Sequence, residues 1–395
     1  MNELSAPHDL TAPGGRRPRL TVIIVNHESW PDVLRLSASL ADQPEFASGQ
    51  CQIVVVDNAS RGPVPEAFSA FRPGLRLIAR ADNGGFAAGV NAGWHLAQSP
   101  WLLVLNPDVE VARGFLTQVF ERLERYDTDA NGPPGIVGFS LRNPDRSPQG
   151  SVGAFPNLGR TIWEQFIPRS RRKYQAGWRI RSGPVDWVTG ACMLVNSTMI
   201  AAVGGMDEDF FLYYEEVAFS RSAQQRGWRV EYDASVTVVH RHPLQSRIIS
   251  PKMRVITRHS KLLYFLKHLP RWQFLSLAAI VSLEAAVRGL WSRLLRRQDE
   301  VRAWRTIGEL ARRLRRGAGP RGREVLALAE SAVDQGPPPE PDSETASDTV
   351  RTPARGDVRR ANERNTARGH VEPAGCKSGW IAHGDKSRFP GCGAG

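Results

Sequence analysis

Trp101-Leu-Leu-Val-Leu-Asn-Pro-Asp-Val109 is an apolar run that opens directly onto an amide and a carboxylate. Consecutive apolar residues of this kind read as a strand buried on both faces, as in a parallel sheet covered by helices. In such sheets ligands bind beyond the carboxyl ends of the strands, which puts Asn106 and Asp108 where chemistry is usual. An acid there can hold a divalent cation against a diphosphate. The competing reading is local, since Asn, Pro and Asp also initiate turns.

Upstream, Leu20-Thr-Val-Ile-Ile-Val25 and Gln52-Ile-Val-Val-Val56 repeat the pattern, one ending in Asn26-His27 and the other in Asp57-Asn58-Ala59-Ser60. Between them Pro31 opens a helical pattern through Val33, Leu34, Leu36 and Leu40, which completes a β-α-β unit. A third strand, Leu75 to Ala79, leads into Asp82-Asn83-Gly84-Gly85-Phe86-Ala87-Ala88-Gly89-Val90-Asn91. Small residues ahead of a helix let backbone approach a phosphate, although this spacing is neither the Walker loop nor the dinucleotide fingerprint.

Farther along, Cys192-Met-Leu-Val195 reads as a short strand and Ser197 as the cap of a brief helix ending at Gly204-Gly205. Phe210-Phe-Leu-Tyr-Tyr214 would line a dry wall. Glu215-Glu216 open a helix that stops at Gly227, and Val236 to Val239 close on His240. Two acids at a helix start also satisfy the helix dipole without any chemistry, and a lone strand-end histidine is as readily a packing residue.

In this order, Asn26, Asp57-Asn-Ala-Ser60, Asn83-Gly-Gly-Phe-Ala-Ala-Gly89, Asn106-Pro-Asp108, Gly190-Ala-Cys-Met-Leu194, Gly204 to Glu216 and Val238-Val-His240 resemble a family-2 glycosyltransferase of the GT-A fold. The resemblance is to the rhamnosyltransferase-like branch and covers roughly residues 19 to 270. It implies an α/β fold with a central, mostly parallel sheet followed by C-terminal amphipathic helices. It implies sugar transfer with inversion from a nucleotide-diphosphate donor, dTDP-rhamnose by preference. Glu216 would be the base beside Glu215, with Asn26, Asp57, Asn83, Gly85, Asn91 and Asn106 at the nucleotide. Asp108 and His240 would hold Mg²⁺ or Mn²⁺. Two positions depart from the family pattern: Asn106 replaces the first acid of Asp-x-Asp, and Glu215-Glu216-Val217-Ala218 replaces Glu-Asp-x-Asp. The alternative they leave is an inactive GT-A scaffold of a membrane complex. A sugar nucleotidyltransferase would need a basic triphosphate loop, and residues 26 to 33 offer only His27.

The chain of 395 residues is 41% hydrophobic and carries a net charge of +12, with four cysteines. Such cysteine usage is no disulfide framework, and the N-terminus reads as no signal peptide, so a cytoplasmic setting is expected. The charge is regional: from Lys252 to Arg323 there are 18 Lys and Arg against four acids. That region also holds Leu262 to Leu266 and the long apolar segment Trp272 to Leu295, interrupted by Glu284 and Arg288. It reads as helices lying on the anionic inner face of the cell membrane, beside a lipid-linked saccharide acceptor; the competing reading has them simply packing on the catalytic domain. Interleaved aliphatic residues speak against nucleic acid. The expected organisation is a disordered 1–18, a catalytic domain over 19–250, a membrane-associating region over 251–334 and a disordered tail over 335–395. Cys376, Cys392, His370 and His383 match no zinc spacing.

Overall fold

The β-branched runs form the centre of a ten-stranded sheet in the computed structural model, which describes residues 17–164, 181–242 and 249–333. The expectations for residues 1–16 and 335–395 fall outside these described residues. Along the first half run β1 (Leu20–Asn26), α1 (Trp30–Ala41), α2 (Pro44–Ala47), β2 (Cys51–Asp57), β3 (Leu75–Ala79), α3 (Phe86–Leu96), β4 (Trp101–Leu105), β5 (Val109–Glu110) and α4 (Phe115–Asp127). Then come β6 (Ile136–Arg142), β7 (Pro148–Gln149), β8 (Val152–Gly153), α5 (Leu158–Trp163), β9 (Gly183–Pro184), β10 (Trp187–Val188), β11 (Cys192–Asn196), α6 (Ser197–Val203), α7 (Glu215–Gln225) and β12 (Val230–His240). Four helices follow: α8 (Pro251–His268), α9 (Arg271–Leu294), α10 (Gln298–Arg315) and α11 (Arg323–Ser331).

The strand order is β3-β2-β1-β4-β11-β6-β12-β5. The first four strands are parallel, β11 joins β4 and β6 antiparallel, and β12 returns parallel to β6. Continuous apolar runs follow from burial on both faces: Leu20, Val22 and Ile24 of β1 enter one core cluster, while Ile23 and Val25 enter another. Because β11 runs opposite to β4, its first residue Cys192 lies against Leu105. The start of β11 and the ends of β1, β2, β4, β6 and β12 therefore share one edge of the sheet.

Helix α6 differs from the expectation in one detail. Its N-cap is Asn196, whose side chain accepts from the Thr198 and Met199 amides, while Ser197 Oγ donates to the Ser99 carbonyl at 2.5 Å. Asparagine caps as well as serine, and the turn back to Ser99 claims the hydroxyl.

Residue 250 is no boundary in the packing. Trp187, Phe210, Phe211, Val217 and Ala218 share one apolar cluster with Val255, Leu262 and Phe265 of α8, Trp304, Ile307 and Leu310 of α10, and Val325 of α11. Ser260 Oγ donates to the Leu212 carbonyl at 2.8 Å, the Gly322 amide donates to the Asp209 carbonyl at 2.9 Å, and Arg323 pairs with Asp82 at 2.6 Å. The helices thus hold the two loops that precede α3 and α7. A chain ending at residue 250 leaves Trp187, Phe210, Phe211 and Val217 facing water, a loss of roughly 6–12 kcal/mol at about 1.5–3 kcal/mol for each large side chain. That matches the whole stability of an ordinary domain, about 5–15 kcal/mol. We expect that fragment to be insoluble or to lack a cooperative melt by circular dichroism, whereas a chain ending at residue 333 melts like the full protein.

Cys51 and Cys192 are free and fully buried, and burial pushes both thiols far up. They behave as small core residues rather than nucleophiles.

Candidate active site

Asp108 and His240 lie far apart in sequence, and the two-residue strand β5 brings them together. Val109 N–H donates to the Asn106 carbonyl at 3.2 Å, so Asn106-Pro107-Asp108 does form a turn. The turn delivers β5 to the end of β12, where Val109 pairs with His240 and Glu110 with Val239. Arg241 N–H then donates to the Asp108 carbonyl at 3.0 Å. The turn reading and the site reading are therefore both satisfied by the same residues.

His240 Nε2 stands 3.4 Å from Asp108 Oδ1 and 3.5 Å from Asn106 Nδ2. Its other nitrogen is fixed by Gln149 of β7. Gln149 Nε2 donates to Asn143 Oδ1 at 2.8 Å and to the His240 carbonyl at 3.2 Å, which turns Oε1 to His240 Nδ1 at 2.7 Å. A carbonyl oxygen can only accept, so Nδ1 carries the proton and, in the neutral ring, Nε2 presents its lone pair toward Asp108. An imidazole oriented through its second nitrogen in this way has the arrangement in which metal-binding histidines are held.

Among the described residues no three His, Cys, Asp or Glu side chains group tightly enough to hold a metal ion alone. Asp108 and His240 supply one hard and one borderline ligand, with the Asn106 amide beside them. That set fits a cation whose remaining positions are filled by substrate phosphates, as is common for Mg²⁺.

Both acids of α7 reach the same place. A cleft of about 280 Å³ is lined by Asn106, Pro107 and Asp108, by Gln149 and Gly150, by Thr189, Gly190 and Ala191, by Leu212, Tyr213, Glu215 and Glu216, and by His240 and His242. Glu215 and Glu216 are buried, at the N-terminus of α7, where the helix dipole favours negative charge. The two residues before them, Tyr213 and Tyr214, have φ of 68° and 70°, the left-handed region that costs a non-glycine residue strain. Packing holds them there: Tyr214 lies 5.7 Å from the Tyr264 ring of α8. Of the expected wall, Leu212 and Tyr213 face the cleft, while Phe210 and Phe211 belong to the core.

Ala218, the position at which the family pattern expects an acid, is buried in that same apolar cluster, so in this chain the position serves packing.

The remaining residues form a second cluster at the ends of β1 and β2. Asp57 accepts from Asn26 Nδ2 at 2.8 Å, from Ser60 Oγ at 2.5 Å and from the Ser60 amide at 3.2 Å. Asn26 Oδ1 accepts from the Ser29 amide at 3.0 Å, and Ser29 lines the cleft. Asn83 Oδ1 accepts from the Gly85 amide at 3.1 Å, and Asn58 Nδ2 donates to the Gly85 carbonyl at 2.8 Å. Gly85 has φ +90°, and a Cβ there would fall 2.0 Å from the Phe211 carbonyl oxygen, so only glycine fits. Asn91 lies apart from the cleft lining. Its amide grips the Met206 backbone, donating to the carbonyl and accepting from the amide at 2.8 Å each, and also donates to Glu208 Oε1. The sequence reading did not single out Gln149, His242, Ser29 or Asp32 for the site, and only the folded register brings them to the cleft.

Residues 21–202 match the family described as Glycosyl transferase family 2. The chain is 27% identical over 276 residues to the N-acetylglucosaminyl-diphospho-decaprenol L-rhamnosyltransferase of Mycobacterium tuberculosis, covering 64% of this chain and 86% of that protein. It is 25% identical over 288 residues to the low-salt glycan biosynthesis hexosyltransferase Agl10 of Haloferax volcanii, covering 69% and 85%. Among solved structures, the mannosyltransferase PcManGT of Pyrobaculum calidifontis, in complex with GDP-Man and Mn²⁺, aligns at TM-score 0.44 and 18% identity over 83% of this chain and 90% of that one.

Proposed function

We propose, from the match of residues 21–202 to the family described as Glycosyl transferase family 2, that the protein moves a hexose, rhamnose first among the candidates, from a nucleoside-diphosphate donor to a lipid-linked saccharide, with inversion. The observation that carries this reading is the convergence of Asp108, His240, Glu215 and Glu216 on one cleft from three separate parts of the chain. Glu216 takes the proton from the acceptor hydroxyl as it attacks the anomeric carbon. Asp108 and His240 would hold a divalent cation, Mg²⁺ or Mn²⁺, which when bound would supply positive charge against the departing diphosphate. Gln149 keeps His240 turned to its task. Asp57, Asn26 and Ser60 form a rigid polar shelf beside the cleft that suits the nucleoside.

Rhamnose and the lipid carrier are supported by the name of the mycobacterial relative, at 27% identity. On this reading a soluble donor meets a membrane-confined acceptor, and the expected setting is the inner face of the cell membrane with the protein bound peripherally.

A melting-temperature panel tests the donor. A ligand that binds only the folded state adds about 2.7 kcal/mol at a hundredfold excess over its dissociation constant. We expect dTDP and dTDP-rhamnose to raise the melting temperature more than the uridine and guanosine nucleotides do, and only with Mg²⁺ or Mn²⁺ present. A uridine or guanosine preference would replace rhamnose as the donor sugar, and no nucleotide response with either metal would remove the transferase reading.

A further inference from the structure

Helix α9 is apolar on both sides. Phe274, Leu277, Val281 and Ala285 face inward and join the cluster built with α8 and α10. On the opposite side Trp272, Leu283, Val287, Leu290, Trp291 and Leu294 are each 60–69% exposed. At 3.6 residues per turn these six fall within an arc of about 100° and form a stripe roughly 33 Å long. A surface helix normally turns charge to water here. An apolar stripe of this length marks an interaction site.

We propose that this stripe lies in the plane of an anionic lipid bilayer and keeps the protein beside its acceptor, an inference that rests on the membrane-bound acceptor proposed above. Three features select lipid as the occupant. Trp272 and Trp291 stand near the two ends of the stripe, and tryptophan favours the boundary between acyl chains and headgroups. Both ends are basic: Arg271 at one, and exposed Arg293, Arg296 and Arg297 at the other, positioned for anionic headgroups. A second copy laid along the stripe in either direction would set arginine against arginine.

The helix lies along the membrane rather than across it. Among the described residues α9 is the one helix long and apolar enough to span. Its inner face is committed to α8 and α10, and Glu284 on its flank is held by Arg258 at 2.8 Å and Arg288 at 3.0 Å. Crossing would strip that packing and bury the ion pairs in hydrocarbon. Helix α5 packs against the start of α9: its Leu158 amide donates to Gln273 Oε1 at 3.0 Å, and its Ile162 and Trp163 are also exposed.

The test is cosedimentation of the full chain with vesicles of phosphatidylglycerol and phosphatidylcholine. The triple variant Leu283→Gln, Val287→Gln, Leu290→Gln changes only exposed side chains and should lower the partition coefficient at least about tenfold. Arg293→Gln with Arg296→Gln and Arg297→Gln should weaken binding to anionic vesicles and flatten its salt dependence. Nucleotide-induced melting shifts should survive in both, because the cleft is untouched. Unchanged vesicle binding by the leucine-valine variant overturns the proposal. So does a native dimer, by sedimentation velocity, that this variant turns into a monomer without altering vesicle binding. Vesicle binding lost in the variant, with no nucleotide response even in the native protein, would refute the transferase reading and leave the lipid surface standing.

Discussion

Glu216→Gln should lower sugar transfer by roughly a hundredfold or more, the usual share of a positioned general base. Its donor affinity should be nearly unchanged. Glutamine keeps the volume and hydrogen-bonding reach of the side chain but cannot accept the acceptor's proton. The loss should therefore appear in kcat and equally in kcat/KM. Glu215→Gln is the necessary companion. Adjacent helical residues point about 100° apart, so the two carboxylates enter the cleft that both line from different directions. A dead Glu215→Gln with an active Glu216→Gln would move the base by one residue. Full activity in both would reduce the pair to helix-dipole partners.

Asp108→Asn should leave the fold intact, because asparagine initiates the same turn and the Asp108 carbonyl still accepts from Arg241 N–H at 3.0 Å. What disappears is the only formal negative charge of Asn106-Pro107-Asp108. Removing a charged partner from a closely held cation site costs about 2 kcal/mol, or roughly thirtyfold in metal-dependent donor affinity. Calorimetric titration of nucleotide diphosphate across a series of Mn²⁺ concentrations measures this directly. Equal affinity in the native and variant proteins at every metal concentration would leave the segment as a turn and nothing more.

Much of this site was legible before folding, for a local reason. A strand buried on both faces must be apolar throughout, so a polar residue at its end stands out: Asn26, Asp57, Asn106 and His240 were all visible as interruptions. The glycine before α3 was visible as part of a small-residue stretch ahead of a helix, and its φ of +90° gives the physical reason for it. What could not be read depends on pairing between distant segments. Gln149 lies in a two-residue strand whose partner is fixed only by the sheet. Asn91 shares a glycine-rich stretch with Gly85, yet its side chain is spent on the Met206 backbone. The helices after residue 250 show the same limit on a larger scale. Composition reports that α8 to α10 are basic and apolar, but not that one side completes the core behind α7 while the outer side of α9 stays bare.

The pairing of β5 with β12 makes Asn106 to Val109 a segment whose length matters as well as its composition. Asp108 sits immediately before β5, and the pairing of Val109 with His240 sets it beside the imidazole. A residue inserted between Asp108 and Val109 would therefore move the carboxylate away from His240 while leaving every original side chain in the sequence. The spacing of this segment is thus a constraint on the site in addition to the identity of Asp108.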